Sequence, residues 1–130
     1  MAGNDSRENL ATLAYASSVD AQHLVSMTPE ELGLVDVCGN PDMLVHELRS
    51  TSGPGGSVWA AVVTVFPCCF NYVFAGNETV LVLEGEATVE VGGTQIVELG
   101  PGTIASFTKG TKSRWRIHKR LREFAVLTDT

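Results

Sequence analysis

Short apolar runs separated by glycine-rich turns make up most of this chain. Residues 86–91 alternate between apolar and polar, and Gly92-Gly93 then marks a two-residue hairpin. Residues 58–66 are rich in β-branched side chains with little polar alternation, which predicts a strand covered on both faces. Further strands are predicted over residues 43–49, 70–74, 78–83, 94–99, 104–107, 113–118 and 121–128, with turns or loops at 39–42, 51–57 and 84–85. Many short strands joined by glycine turns are typical of an antiparallel barrel or jelly roll.

The N-terminal part of the chain has a different pattern. Residues 9–18 could form a short helix or an arm. Residues 28–33 contain a threonine N-cap, a proline at the first position, a glutamate three residues after the cap and a final glycine, which together predict one brief helix. We therefore predict an N-terminal arm with a short helix over residues 1–40 and one β-barrel domain over residues 41–130.

The charges of the chain are unevenly placed. A net charge of −6 argues against nucleic acid as a partner, because binding phosphates requires a basic surface. Seven of the nine Lys and Arg residues nevertheless lie between Lys109 and Arg122, while the stretch before them carries five glutamates from Glu78 to Glu98. Cross-strand pairing of basic with acidic positions is one explanation. A basic patch for an anionic ligand or a partner subunit is the other.

Other features of the composition bear on where the protein works. The chain has no apolar run of about 18 residues, so we expect no membrane span. Its N-terminus lacks the basic flank and apolar stretch of a signal peptide. Cysteines are odd in number, and we do not expect the adjacent Cys68 and Cys69 to bridge each other, because that geometry is strained. We therefore expect a reducing, cytoplasmic location and inert cysteines.

Four positions between residues 78 and 110 have a characteristic spacing. Glu78 and Gly85 are separated by six residues, and Gly102 and Gly110 by seven. This spacing resembles the two motifs of the cupin family. The resemblance implies an all-β, single-domain jelly-roll β-barrel whose motif side chains point into the barrel.

Further positions narrow the resemblance within that family. These are Trp59, Phe70 with Tyr72, Val82-Leu83-Glu84-Gly85, and Gly110 followed by Trp115. Over residues 58–127 the chain is similar to the ureidoglycine aminohydrolase-like and ethanolamine-utilisation-type cupins. Several members of that group lack the metal-binding histidines.

Most cupins hold a divalent metal with a His-x-His pair, a glutamate and a later histidine. Here the His-x-His positions fall on Tyr72 and Phe74 if three residues separate the pair from the glutamate, or on Asn71 and Val73 if four residues do. Ser113 stands at the later histidine, so only Glu78 remains of four ligands. Because a lone carboxylate does not hold a transition metal, we predict no metal and no other cofactor.

The resemblance also predicts which side chains line the barrel interior. We predict Glu78 and Tyr72 as catalytic residues and Phe74, Ser113, Trp115 and Trp59 as substrate-binding residues. A carboxylate among aromatic rings is desolvated, which raises its pKa and suits a general acid or base. Two alternatives stay open: Glu78 could be a buried acid satisfied by Tyr72 or a backbone group, or a relic of the family pattern.

Our functional hypothesis is a metal-independent enzyme, namely an isomerase, cyclase, lyase or hydrolase, that uses Glu78 on a small organic molecule. The first alternative is a non-catalytic binding or accessory cupin. Metal-dependent chemistry and a kinase acting on a short carboxylic acid are further alternatives. Exposed edge strands also predict a homodimer, in which the arm or an edge strand crosses between subunits.

Overall fold

The structure is a computed structural model that describes residues 13–130. Within that range lie nine strands and one short helix. No helix in this part of the chain is long and apolar enough to cross a membrane. The elements are β1 (Val25–Met27), α1 (Pro29–Leu32), β2 (Val35–Gly39), β3 (Met43–Gly53), β4 (Gly56–Val65), β5 (Cys68–Val73), β6 (Asn77–Val91), β7 (Gln95–Leu99), β8 (Ile104–Phe107) and β9 (Lys112–Thr128).

β9 is the central strand of one antiparallel sheet. Its first half pairs with β5 and its second half with β4, while β6 pairs along its other edge. The other edge of β6 pairs with β8 near the start of the strand and with β7 near its end. β3 and β1 extend the sheet beyond β4, and β2 extends it beyond β5. The sheet curls into a half-barrel, which confirms the predicted all-β jelly-roll fold.

Two of the predicted turns are wrong, because the strands continue through them. The turn expected at residues 84–85 is a series of bulges within β6, and the break expected after residue 118 lies inside β9. Gly85 has a φ of 94°, and a Cβ there would lie 2.1 Å from the carbonyl oxygen of Arg120. The glycine therefore lets two long strands bend closely past each other. Similarly, the predicted loop at 51–57 is a tight hairpin between β3 and β4.

The predicted helix is confirmed as the single turn α1. The Thr28 hydroxyl accepts from the backbone N–H of Glu31 at 3.2 Å, and the Glu31 carboxylate accepts from the N–H of Thr28 at 2.9 Å. Gly33 ends the helix with a φ of 73°. Residues 9–12 of the 9–18 segment lie outside the described residues, and the remainder of that segment is not helical.

Aromatic rings fill the interior between β5, β6, β8 and β9. Phe74 is 1% exposed and stacks on Phe107 with ring centroids 4.6 Å apart, and Trp115 lies 5.8 Å from Phe107. Along β9, the alternate residues Ser113, Trp115 and Ile117 are buried. The aromatic part of the core thus lies against one face of the first half of β9, and Leu121 and Ala125 extend the core along the second half.

The cysteines occupy neighbouring strands. Cys38 on β2 is the register partner of Cys69 on β5, with Cα atoms 5.0 Å apart, and the two are joined as a disulfide. Cys68 is free and buried. Burial raises the pKa of the Cys68 thiol, which favours the inert, protonated form that we predicted. For Cys69 the expectation of an inert thiol was wrong, because it is bonded to Cys38 of the neighbouring strand. The predicted reducing, cytoplasmic location remains a prediction.

The basic segment pairs with acidic residues across strands. Glu86 and Glu84 on β6 lie opposite Lys119 and Arg122 on β9. The Lys119 Nζ lies 3.0 Å from the Glu86 carboxylate, and the Arg122 guanidinium contacts Glu84. Cross-strand complementarity is thereby confirmed for these pairs, each of which contributes about 0–1 kcal/mol at the surface.

Candidate functional site

A cavity of about 240 Å³ lies beside the aromatic core, under the second half of β9. Four aromatic residues line it: Trp59, Phe70, Tyr72 and Trp115. Three carboxylates also line it: Glu31, Glu78 and Glu123. Aliphatic side chains of β3, β4 and β9 complete the wall, and Met27, Leu32 and Leu34 from the N-terminal segment lie against one side. The cavity is therefore mostly apolar with a few polar groups, as small-molecule sites usually are.

Hydrogen bonds outside the cavity hold the two tryptophan rings. The indole N–H of Trp59 donates to the Glu47 carboxylate at 2.8 Å. That of Trp115 donates to the Ser113 hydroxyl at 3.1 Å, and this hydroxyl donates to the carbonyl oxygen of Tyr72 at 2.7 Å. Both indole N–H groups thus have partners in the protein, and the rings are left as apolar wall.

Glu78 enters the cavity from the start of β6. It lies opposite Phe107 on β8 and Leu127 on β9, two apolar neighbours. Burial raises the pKa of the Glu78 carboxyl to about 7. The shift has the direction predicted from its aromatic surroundings. The carboxyl can consequently gain or lose a proton near neutral pH.

Tyr72 lies close enough to Glu78 for the two to interact electrostatically. Burial, and then the charge of Glu78, raises the pKa of the Tyr72 phenol. The phenolic oxygen accepts a hydrogen bond from the backbone N–H of Ala75 at 3.3 Å. Because that contact uses the oxygen and not the hydroxyl proton, the proton remains available for donation to a ligand.

Glu123 is a cavity residue that the sequence analysis missed. It lies on β9 between Val63 of β4 and Val82 of β6, and it is 5% exposed. Burial, and then the charge of Glu78, raises the pKa of the Glu123 carboxyl to about 8. Its Oε2 is buried and has no hydrogen-bond partner among the described residues. The alternation of inward and outward side chains along the strand could have indicated it, because Glu123 lies on the inward side of β9 with Leu121 and Ala125.

The structure brings together four of the six predicted site residues. Glu78, Tyr72, Trp115 and Trp59 line the cavity. Phe74 and Ser113 are not among the residues that line it. Phe74 lies in the aromatic core, and the Ser113 hydroxyl connects Trp115 to the backbone of Tyr72. The substrate-binding role predicted for these two side chains stays a prediction.

The residues present do not fit the metal cage of most cupins. Within residues 13–130, no group of three or more His, Cys, Asp or Glu side chains is placed to hold a metal ion. His46 contacts Ser17 and the carbonyl oxygen of His23, and His118 contacts Thr88 on the outer face. No chemical step is therefore assigned to a metal.

Comparison with the models of known families identifies the family of the chain. The model of the EutQ-like cupin domain matches residues 52–123, which is more than half of the chain. The chain belongs to the EutQ-like cupin family. That match spans Glu78 and Glu123 and excludes the N-terminal segment that borders the cavity. No protein of curated function matches the chain.

Several solved structures of low sequence identity have the same fold. The EutQ protein of Clostridium difficile matches at 15% identity and a TM-score of 0.59, covering 68% of this chain and 69% of that one. The cupin domain of Schizosaccharomyces pombe Cnp3 matches at 13% identity and a TM-score of 0.63, covering 88% and 73%. KdgF from Halomonas sp. matches at 13% identity and a TM-score of 0.54, covering 68% and 79%. At these identities the likeness concerns the fold alone.

Proposed function

We propose that this EutQ-like cupin is a metal-independent enzyme that transfers protons to and from a small organic molecule bound in the cavity. Glu78 acts as the general acid or base. The observation that carries the proposal is the Glu78 carboxyl in an apolar cavity with a pKa of about 7. A proton-transfer group works best when its pKa lies near the working pH.

The second carboxyl of the cavity supports this chemistry. Burial raises the pKa of both carboxyls, and the charge of Glu78 raises that of Glu123 further, so ionisation of one carboxyl favours the protonated form of the other. Such a pair supplies a proton donor and a proton acceptor to one ligand. Tyr72 donates its phenolic proton to an oxygen or nitrogen of the ligand. Isomerisation, cyclisation, elimination and hydrolysis all use a donor and an acceptor in this way.

A binding or accessory cupin is the second candidate function. The same cavity could hold a ligand without converting it, with Glu78 and Glu123 serving only as hydrogen-bond partners. The raised pKa of Glu78 favours the enzyme over the binding module. The ureidoglycine aminohydrolase-like part of the resemblance would make the reaction a hydrolysis, and we keep it as a narrower proposal.

A kinase acting on a short carboxylic acid has less support from the cavity. Ionised carboxylate substrates need cationic or strongly donating partners. Among the described residues, those that line the cavity include three glutamates and no Lys, Arg or His. An anion would meet repulsion there, so we do not propose this activity.

Substitution of Glu78 separates enzyme from binding module. Small molecules that raise the thermal midpoint of the protein are first selected, and their conversion is then followed by NMR. Glu78→Gln is expected to reduce turnover by about a hundredfold or more and to retain ligand binding, because the amide cannot exchange the proton. The exposed Glu98→Gln serves as control and should keep full turnover. Turnover by Glu78→Gln at the rate of the unsubstituted protein would contradict the proposal. Loss of turnover by the unsubstituted protein after dialysis against EDTA would contradict the metal-independent part.

We also propose that the protein is a homodimer. β2 is an edge strand whose Val35 and Val37 are 58% and 38% exposed, and an exposed apolar edge favours pairing with a second copy. Light scattering coupled to size exclusion is expected to give twice the chain mass of 13.9 kDa at micromolar concentration. A monomer mass across that range would contradict the dimer.

A further inference from the structure

The cavity carries acidic groups without any cationic side chain to balance them. Among the described lining residues the ionisable groups are Glu31, Tyr72, Glu78 and Glu123. Glu31 already accepts two hydrogen bonds from Thr28 at the start of α1. Glu78 and Glu123 are therefore the carboxyls that remain for a ligand. Burying a carboxylate without a partner costs several kcal/mol, so such a pair calls for a compensating group.

Glu123 gives a second and independent indication of a missing partner. Its side chain is 5% exposed and lines the cavity, and its Oε2 has no hydrogen-bond partner within residues 13–130. Buried polar atoms are almost always paired in folded proteins. Because the neighbours of Glu123 across the sheet are Val63 and Val82, a donor for this oxygen has to come from the cavity side.

The aromatic walls determine which kind of donor fits. The indole N–H groups of Trp59 and Trp115 are bonded to Glu47 and Ser113, so these rings offer π surface and no donor. An organic cation gains from a tryptophan ring within about 6 Å as well as from a carboxylate. A bare metal ion gains nothing from these rings and would find too few ligands.

We infer that the cavity binds a small organic ammonium ion, with the protonated amino group between the Glu78 and Glu123 carboxyls and the hydrocarbon part against the tryptophan rings. The inference rests on the proposed function in so far as it names the substrate class of the same cavity. With about 240 Å³ the cavity is smaller than the ~300–1,000 Å³ of drug-sized pockets, so the ligand is a short amine.

Ligand binding is coupled to proton release from the two carboxyls. In the empty protein, the raised pKa values keep both groups partly protonated near neutral pH. A cation between them favours the ionised forms and lowers both pKa values. The lining has two other ionisable groups. Tyr72 stays neutral because burial raises the pKa of its phenol. Glu31 stays ionised because its hydrogen bonds with Thr28 lower the pKa of its carboxyl. Affinity for the amine therefore rises with pH through the range in which Glu78 and Glu123 ionise.

The test compares three probes of similar shape: n-butylammonium, butan-1-ol and butyrate. Isothermal titration calorimetry in two buffers of different ionisation enthalpy gives both the affinity and the number of protons released. We expect the ammonium ion to bind at least about tenfold more tightly than the alcohol, the size of one charge-assisted hydrogen bond, and butyrate to bind most weakly. We also expect about one proton to be released per ammonium ion bound.

Variants locate the binding and guard against a folding artefact. Glu123→Gln is expected to weaken ammonium binding by about tenfold or more and to reduce the proton release. Its effect on butan-1-ol affinity should be much smaller, because a neutral amide can still form a hydrogen bond with a hydroxyl group. The exposed Glu98→Gln should change neither. Because butan-1-ol reports an intact cavity, a misfolded variant is recognised by losing both probes.

The outcomes also separate this inference from the proposed function. Equal affinity for alcohol and ammonium, unchanged ammonium affinity in Glu123→Gln, or no binding of any probe at millimolar concentration would overturn the inference. Tight ammonium binding together with a Glu78→Gln variant of unchanged turnover would leave the inference standing and remove the proposed catalysis. If the cavity instead prefers a neutral ligand and Glu78 converts that ligand, the proposed function stands and the inference is overturned.

Discussion

The Glu123→Gln variant is expected to lose much less stability than the unsubstituted protein as the pH rises from about 5 to about 9. The pKa of Glu123 is about 8 in the folded protein and 4.5 as its ordinary value. At pH values between these two pKa values, the folded state binds more protons than the unfolded state. The free energy of unfolding therefore falls as the pH rises. Over roughly three pH units, at about 1.36 kcal/mol per unit, the fall is on the order of 4 kcal/mol.

Urea denaturation at several pH values measures this difference. Glu78 contributes a fall of the same sign in both proteins. Because the charge of Glu78 acts on Glu123, the difference between the two pH profiles gives the contribution of Glu123 together with its coupling to Glu78. At about pH 5 the protonated Glu123 and glutamine are both neutral, and the two proteins should differ by no more than about 1 kcal/mol. Glu98→Gln should follow the unsubstituted protein throughout. Parallel pH profiles for Glu123→Gln and the unsubstituted protein would show that Glu123 is solvated.

Gly85→Ala is expected to destabilise the fold by at least about 3 kcal/mol. A methyl group at this position would lie 2.1 Å from the carbonyl oxygen of Arg120 and 2.7 Å from the Cα of Leu121, both of which are backbone atoms of β9. Relief of that overlap requires β6 to move away from β9, next to the inward-facing pair of Leu121 and Glu123. The left-handed φ of 94° adds a second cost for any side chain.

Gly102→Ala is the matched control for this substitution. Gly102 has a similar φ of 85°, but a Cβ there meets nothing within 4 Å. Its substitution should therefore cost only the conformational strain, about 1–2 kcal/mol. Urea denaturation of both variants gives the two free energies of unfolding. Equal losses would show that β6 and β9 do not approach each other closely at Gly85.

The fold was accessible from the sequence because alternation and glycine spacing report the strands directly. The 86–91 alternation and the Gly92-Gly93 turn gave the β6–β7 hairpin, and the capping pattern at 28–33 gave α1. The continuity of β6 and β9 was not accessible. Gly85 suggests a turn equally well as a bulge, and only its approach to Arg120 on a distant strand distinguishes the two.

The cavity was accessible only in part, for physical reasons that differ between residues. Glu78, Tyr72 and the two tryptophans occupy motif positions, so the family pattern placed them in the interior. Glu123 lies in a stretch of charged residues and beside Arg122, which makes a surface ion pair the natural interpretation, although its phase on the strand is inward. The residues 27–34 that border the cavity come from outside the matched family region, and their contribution depends on tertiary packing that no local pattern reports.

The proposed function depends on two carboxyl groups that share one cavity and are both desolvated by burial there. Carbon-13 NMR titration of the glutamate side-chain carboxyls tests it most directly, with Glu78→Gln and Glu123→Gln used to assign the signals. The account predicts two glutamates that titrate well above the rest, Glu78 at about 7 and Glu123 at about 8. Titration of both groups near the ordinary glutamate value of 4.5 would contradict it.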